Sequence, residues 1–284
     1  MALYLRPERL EDALDALGSR ALTVLAGGTD FYPARVGRPL DEDVLDITAL
    51  AELQGIRDEG DRWTIGAGVT WSALSAAPLP PCFDGLKAAA RELGGLQVQN
   101  AGTVVGNLCN ASPAADGLPN LLALDARAEL AGVHGRRSLA VEDFVTGNRQ
   151  TRRRPDEMVT AIAIPKPAPD TASHFVKLGA RKYLVISIVM LAIVIEPEDG
   201  RVGSARLALG ACAPVARRLR KLEAALAGRA LDGGLGDALE TAHLEAVLAP
   251  IDDIRASAAY RRDAAATLVR RGLSALGQRL GAQA

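Results

Sequence analysis

The sequence predicts an α+β protein of two domains. Three observations carry that prediction: 284 residues is long for one core at roughly 150 residues per domain. Short strand-like and helical runs alternate through the first part of the chain. A proline cluster at Pro165, Pro167 and Pro169 then precedes three strand-like runs and three helical ones. Each proline lacks a donor and biases its predecessor away from helix, so the cluster reads as a linker.

Taken in order, Arg9 to Leu17 has Leu10, Ala13, Leu14 and Leu17 at helical spacing. Leu22 to Ala26 is a short strand running into Gly27-Gly28, Val44 to Ile47 a second, and Trp63 to Ala67 a third. Cys82 to Leu93 is helical and stops at Gly94-Gly95, as helices commonly do. From Gln97 to Pro119 periodicity is lost, and the segment reads as a long irregular loop. Leu121 to Leu130 resumes an apolar pattern, and Met158 to Ile164 alternates as a strand. Beyond the prolines, His174–Leu178, Leu184–Ile195 and Arg206–Ala211 are expected as a three-stranded antiparallel sheet, with a turn at Glu196–Gly200. Helical patterns over Val215–Ala227, Asp237–Leu248 and Ser257–Leu280 complete a small helix bundle.

Composition removes several classes of function. The 33 Lys+Arg against 34 Asp+Glu leave a charge of −1, with no basic face for nucleic acid. Aromatic residues make up 4%, too few for a base-stacking platform. The apolar run Leu184–Ile195 is short of the about 20 residues of a membrane span and reads as a buried strand. The opening Leu5-Arg6-Pro7-Glu8 is charged and interrupted by proline, unlike a secretory signal. Cys82, Cys109 and Cys212 are far apart and odd in number, which fits reduced thiols in the cytoplasm. No metal site is expected from these cysteines or from His134, His174 and His243.

Two segments concentrate polar chemistry. In Val24-Leu25-Ala26-Gly27-Gly28-Thr29-Asp30, paired glycines end a strand, permit positive φ, and let backbone N–H groups approach a ligand. Such a nest suits phosphate oxygens, although a plain strand-to-loop turn has the same composition. The second segment runs from Gln99 to Asp116 and gathers Asn100, Thr103, Asn107, Asn110, Ser112 and Asp116 around Gly102 and Gly106. Buried polar groups at this density need partners or cost about 1–3 kcal/mol each. Neutral amides and hydroxyls of this kind match a polyol and a pyrophosphate. Gly66-Ala67-Gly68-Val69-Thr70-Trp71 breaks the Rossmann fingerprint at its last glycine and opens no helix. No Walker lysine, nucleophile elbow or nearby histidine is present, so the chain reads as holding a cofactor rather than supplying acid–base chemistry.

These residues carry a resemblance. Ala26-Gly27-Gly28-Thr29-Asp30, the Asn100–Asp116 segment, Leu121–Ala126, Asp156-Glu157 leading to Ile162-Ala163-Ile164-Pro165, and Asp253–Arg261 occur in order. Together they resemble the flavin-binding subunit of the molybdenum hydroxylases, which includes the medium subunit of carbon monoxide dehydrogenase and the FAD domain of xanthine dehydrogenase. The resemblance implies a two-lobed FAD-binding domain of the vanillyl-alcohol oxidase (PCMH) type over residues 1–165, with lobes about 1–55 and 56–165. It also implies a C-terminal domain over 170–284 like that of the carbon monoxide dehydrogenase flavoprotein. Function would lie in a complex in which a large molybdopterin subunit hydroxylates the substrate. A small subunit with two [2Fe–2S] clusters would pass electrons to this FAD and on to NAD, oxygen or a quinone.

By motif, the resemblance implies that Val24, Leu25, Ala26, Gly27, Gly28, Thr29, Asp30 and Phe31 wrap the FAD pyrophosphate. Gly102, Thr103, Gly106 and Asn107 would form a second phosphate and ribityl contact, with Asn110 and Ser112 in the same segment. Asp116 would bond the flavin or its ribityl chain, Val159 or Ile162 would line the site, and Lys177 would stand near the flavin ring. Two positions depart from the family pattern. Val105 stands where a first glycine is usual, which would crowd the backbone approach, and Val185-Ile186 replaces a usual Asp-Ile. Three cysteines are too few for a [4Fe–4S] cluster. Two alternatives remain: a stand-alone flavin oxidoreductase, or a non-catalytic assembly subunit with a degenerate FAD site. Trp63 and Trp71 are expected in packing and Cys109 as a small buried hydrophobe. Arg152–Arg154, Arg217-Arg218 and Arg261-Arg262 are expected on the surface.

Overall fold

A computed structural model describes residues 2–283. Strand β1 (Tyr4–Leu5) leads to helix α1 (Leu10–Ser19), whose Leu10, Ala13 and Leu17 are buried as the spacing predicts. Strands β2 (Thr23–Leu25) and β3 (Val44–Asp46) complete a parallel three-stranded sheet in the order β1-β3-β2. Strands β4 (Ile56–Asp58) and β5 (Arg62–Gly66) follow.

A run of helices follows: α2 (Trp71–Ala76), α3 (Asp84–Glu92), α4 (Leu96–Ala101), α5 (Val104–Asn110) and α6 (Gly117–Ala123). The expected irregular loop from Gln97 to Pro119 is therefore largely helical. Its helices have six or seven residues each, too short for a 3.6-residue apolar stripe to repeat. Next come β6 (Arg127–Gly132), β7 (Gly135–Ala140), α7 (Val141–Phe144), the small hairpin β8 (Val145–Gly147) and β9 (Gln150–Thr151), and β10 (Glu157–Pro165). β10 takes the centre of an antiparallel sheet ordered β4-β5-β10-β6-β7.

The last part holds β11 (Ala172–Leu178), β12 (Val189–Glu198), β13 (Arg201–Gly210) and β14 (Arg217–Arg218) in one antiparallel sheet in that order. The three expected strands are present, and β14 adds a fourth, formed by two residues expected to be helical. The helical pattern from Val215 is confined to α8 (Arg220–Leu226), and that over Asp237–Leu248 to a 3-10 turn and α9 (Ala242–Glu245). α10 (Ala258–Gly281) begins where Ser257 Oγ accepts the Tyr260 N–H at 3.2 Å.

β12 explains its own sequence. Met190, Ala192 and Val194 belong to a core shared with the first part of the chain. Val189, Leu191, Ile193 and Ile195 belong to a second core with α8 and α10. Buried on both faces, the strand reads as a continuous apolar run. Two arginines expected on the surface are instead buried. Arg261 is 1% exposed and donates to Ile188 O, Ala211 O and Asp253. Arg218 donates to Glu223, Asp125 and Leu122 O. Multiple charge-assisted hydrogen bonds are what permit a guanidinium to leave water.

Candidate functional site

The two polar segments pack against each other. A Cβ on Gly27 would lie 1.7 Å from Ala101 O, and one on Gly102 would lie 3.1 Å from Thr29 Oγ1. Only residues without side chains permit this backbone-on-backbone approach. Gly28 adopts φ +67°, turning the chain after β2, with the Tyr32 ring set close over it. Among the described residues nothing accepts the N–H groups of Gly27, Gly28, Thr29 or Asp30. Val24, Leu25 and Ala26 lead into this nest, and the Phe31 ring beyond it carries the Arg35 guanidinium at 3.8 Å.

Across from the nest, Thr103 caps α5: its Oγ1 accepts the Gly106 N–H at 2.9 Å. Ala111 ends the helix in the left-handed region at φ 48°. Asn107 Oδ1 is buried without a hydrogen-bond partner. It lies 2.8 Å from where a Cβ on Gly117 would stand, at the start of α6. A buried amide oxygen with no donor costs about 1–3 kcal/mol, so the arrangement is suited to a ligand donor. Val105 is 3% exposed and packs within the core.

Asp116, just before α6, forms the third part of the site. Lys177 Nζ on β11 lies 2.8 Å from Asp116 Oδ2, with the two side chains 3% and 8% exposed. Ser187 Oγ donates to Asp116 Oδ1 at 2.6 Å, and Lys177 also donates to Glu92 O at 3.3 Å. Burial raises the Glu92 carboxyl above its ordinary pKa, with Lys177 opposing that shift and Asp116 adding to it. A cleft of about 590 Å³ opens beside this pair, lined in part by Glu92, Lys177, Arg181 and Tyr183. In the chain between β11 and β12, Ile186 is exposed, while Val185 O lies 3.5 Å from Lys177 Nζ.

The structure thus joins Gly27–Thr29 to Gly102–Thr103, and Asp116 to Lys177. Asn110 and Ser112 lie on the same stretch, between Asn107 and Asp116. Val159 and Ile162 lie in β10, 4% and 0% exposed within the core. Sequence reasoning missed Arg149, in the β8–β9 turn. Its Nη1 donates to Asp30 Oδ2 at 2.7 Å and also to Asn110 Oδ1. It missed Ser187 and Glu92 as partners of the buried pair as well. The signal for Arg149 was a lone cation in a Gly147-Asn148 turn between short strands, visible only once that hairpin is recognised.

Trp71 is 1% exposed and Trp63 packs edge-on against Phe83 at 5.8 Å, both in packing roles as expected. Burial pushes the Cys109 thiol up to about 12, which keeps it protonated. Arg153 and Arg154 of the basic run turn back onto Glu157, whose carboxylate also takes two hydrogen bonds from Arg137. Among the described residues no helix is long and apolar enough to cross a membrane, and no cluster of ligating side chains is arranged to hold a metal.

A parallel three-stranded sheet, an antiparallel five-stranded sheet and a run of unpaired backbone amides after β2 make an arrangement suited to a dinucleotide cofactor. Residues 1–167 match the FAD binding domain in molybdopterin dehydrogenase, and the chain belongs to that family. Residues 174–276 match the CO dehydrogenase flavoprotein C-terminal domain. The chain is 31% identical to the carbon monoxide dehydrogenase medium chain of Hydrogenophaga pseudoflava, over 96% of each chain. It is 29% identical to the xanthine dehydrogenase FAD-binding subunit of Escherichia coli O157:H7, over 96% of this chain and 95% of that one. Among solved structures, reconstituted CO dehydrogenase from Oligotropha carboxidovorans superposes with a TM-score of 0.90 at 29% identity, over 98% of each chain. Quinoline 2-oxidoreductase from Pseudomonas putida 86 does so with a TM-score of 0.89 at 25% identity, over 99% of this chain and 98% of that one. The chain is a flavoprotein subunit of the oxidoreductase type these relatives share.

Proposed function

We propose that this chain holds FAD in the cradle between its two glycine segments and works in a cytoplasmic complex. It would take electrons from a [2Fe–2S] subunit, served in turn by a molybdopterin subunit, and deliver them to a final acceptor. The observation that carries the cofactor assignment is the set of free N–H groups from Gly27 to Asp30, with the orphaned Asn107 Oδ1 in the second segment beside it. Free backbone amides suit diphosphate oxygens, and an unpartnered amide oxygen suits a ribityl or amino donor. Bound there, the isoalloxazine supplies the redox chemistry.

The chain's own residues bind and orient. Gly27 and Gly102 set the separation of the two segments. The N–H groups of Gly28, Thr29 and Asp30 bind the diphosphate, and Thr103 fixes the turn that presents Gly106 and Asn107. Asp116 and Lys177 place one buried pair of opposite charges beside the cleft that would admit the ring. Residues 1–165 would form the cofactor domain and residues 170–284 a brace that delivers Lys177. The support for partner subunits is the relatives' own description as medium chains or FAD subunits.

The test begins with a visible spectrum of the purified chain and identification of any released chromophore. About one FAD per chain is expected, together with co-purification of molybdenum- and iron-containing subunits from the native source. A chain that stays colourless when FAD is added would favour the assembly-subunit alternative. FAD with no such partners would favour a stand-alone flavin oxidoreductase.

A further inference from the structure

Arg149 has geometry that the roles above do not use. It adopts φ 55°, a left-handed conformation that a non-glycine residue holds only at a cost. Its N–H donates to Ala111 O at 2.9 Å, so the hairpin turn is fastened to the end of α5. Its guanidinium then spans both halves of the cradle. Nη1 reaches Asp30 on the nest and Asn110 on α5, and Nη2 lies 3.4 Å from Asp30 Oδ1.

The charges give this bridge a purpose. Asp30 places a carboxylate on the same loop whose free amides face the ligand, where it would repel any anion. Arg149 pairs with it at 2.7 Å and brings the local charge to zero. A guanidinium has five N–H donors. Those used here leave Nε and one Nη2 N–H without an acceptor among the described residues.

We propose that Arg149 is the cationic wall of the cofactor cradle: it neutralises Asp30 and offers its free N–H groups to the cofactor's diphosphate. The inference rests on the FAD reading and deepens it, naming a charge that selects a diphosphate-bearing ligand. Arg149 holds that place through its charge, whereas the amides of Gly27 to Asp30 act through their geometry.

The experiment titrates flavin-stripped full-length chain with FAD by fluorescence quenching at low and high salt, with R149Q and R149K alongside. A charge-assisted hydrogen bond contributes about 1.5–3 kcal/mol, so R149Q is expected to weaken FAD about tenfold or more. R149Q should also flatten the salt dependence, while R149K keeps the slope and stays within about threefold, because the charge remains. R149Q binding FAD within twofold of the parent, or R149K losing as much as R149Q, overturns the proposal. Melting curves report whether R149Q is folded. If it is not, R149K decides: with the charge kept, FAD affinity within about threefold and an unchanged salt slope are expected, and a loss of about tenfold or a flattened slope overturns the proposal. A parent chain that takes up no FAD would instead strike the cofactor reading itself.

Discussion

Replacing Lys177 with methionine separates the structural role of the buried pair from its role toward the cofactor. The side chains of Lys177 and Asp116 are 3% and 8% exposed and 2.8 Å apart. The variant keeps the length and apolar stem of the lysine but leaves Asp116 with the Ser187 hydroxyl as its remaining side-chain partner. Stripping one partner from a buried ion pair costs about 3–5 kcal/mol. With an unfolding entropy of about 2.1 cal/mol/K per residue, 284 residues amount to about 0.6 kcal/mol/K. The melting temperature should therefore fall by about 5–8 °C, with the Ser187 bond favouring the lower end. The double variant D116N/K177M replaces the pair by neutral groups of similar size and should melt within about 2 °C of the parent, since such replacements are often neutral. Thermal melts by circular dichroism give both numbers, and FAD titration of the double variant asks whether a restored fold restores affinity. A single variant within 2 °C of the parent, or a double variant no more stable than the single, would refute the reasoning.

Three further outcomes are expected. Gly27→Ala places a Cβ 1.7 Å from Ala101 O, against a comfortable separation of about 3.5 Å, so the segments must part by roughly 2 Å. FAD content should fall below about a tenth of the parent's while far-UV circular dichroism is retained, and full FAD occupancy would contradict the cradle. Arg218→Ala strands the half-buried Glu223 and leaves Leu122 O without its donor, which should lower the melting temperature by about 5 °C or more in differential scanning calorimetry. Glu157 is held below its ordinary pKa chiefly by hydrogen bonds from Arg137. A depressed carboxylate contributes stability above its unfolded pKa of about 4.3 and loses it as pH falls through the folded value. Melting temperatures from pH 6 to pH 3 should thus fall less steeply for Glu157→Gln than for the parent.

Legibility in the sequence followed the range of the interactions. The glycine segments were legible because a strand running into Gly27-Gly28 limits the backbone locally, and β12 because its continuous apolar residues from Val189 to Ile195 have few other places to go. The helices between Leu96 and Ala123 were not, since each is shorter than two full turns and is held by neighbours rather than by its own pattern. Arg218 and Arg261 look like ordinary surface cations in any window. Their burial depends on Asp125, 93 positions before Arg218, and on Ile188 O, 73 before Arg261. Arg149 follows the same rule, meeting Asp30 across 119 positions. Long-range polar contacts carry no periodic signature, and they are what complete this site.

The last sheet is more than an appendage to the cofactor lobes. One face of the sheet packs on α10, against β11 and β12, and on α8, against β13; α3 packs on β11, and α6 on β12 and β13. α6 begins immediately after Asp116. Arg206 donates to Ala123 O at 2.9 Å and Arg218 to Leu122 O at 3.2 Å, so one half-buried and one buried guanidinium group from the sheet hold the C-terminal end of α6. Lys177 holds its other end through Asp116. Cations at helix carbonyls and an acid at a helix start are the favourable senses of the helix dipole. The helix is thereby fixed at both ends by strands from beyond the proline cluster. Gly117 on its first turn meets Asn107 Oδ1, so the position of that orphaned oxygen is set by the sheet as well. A truncation after residue 165 would release both ends of α6 and the lysine together. A cofactor lobe cut there should lose FAD affinity even where the nest itself remains folded.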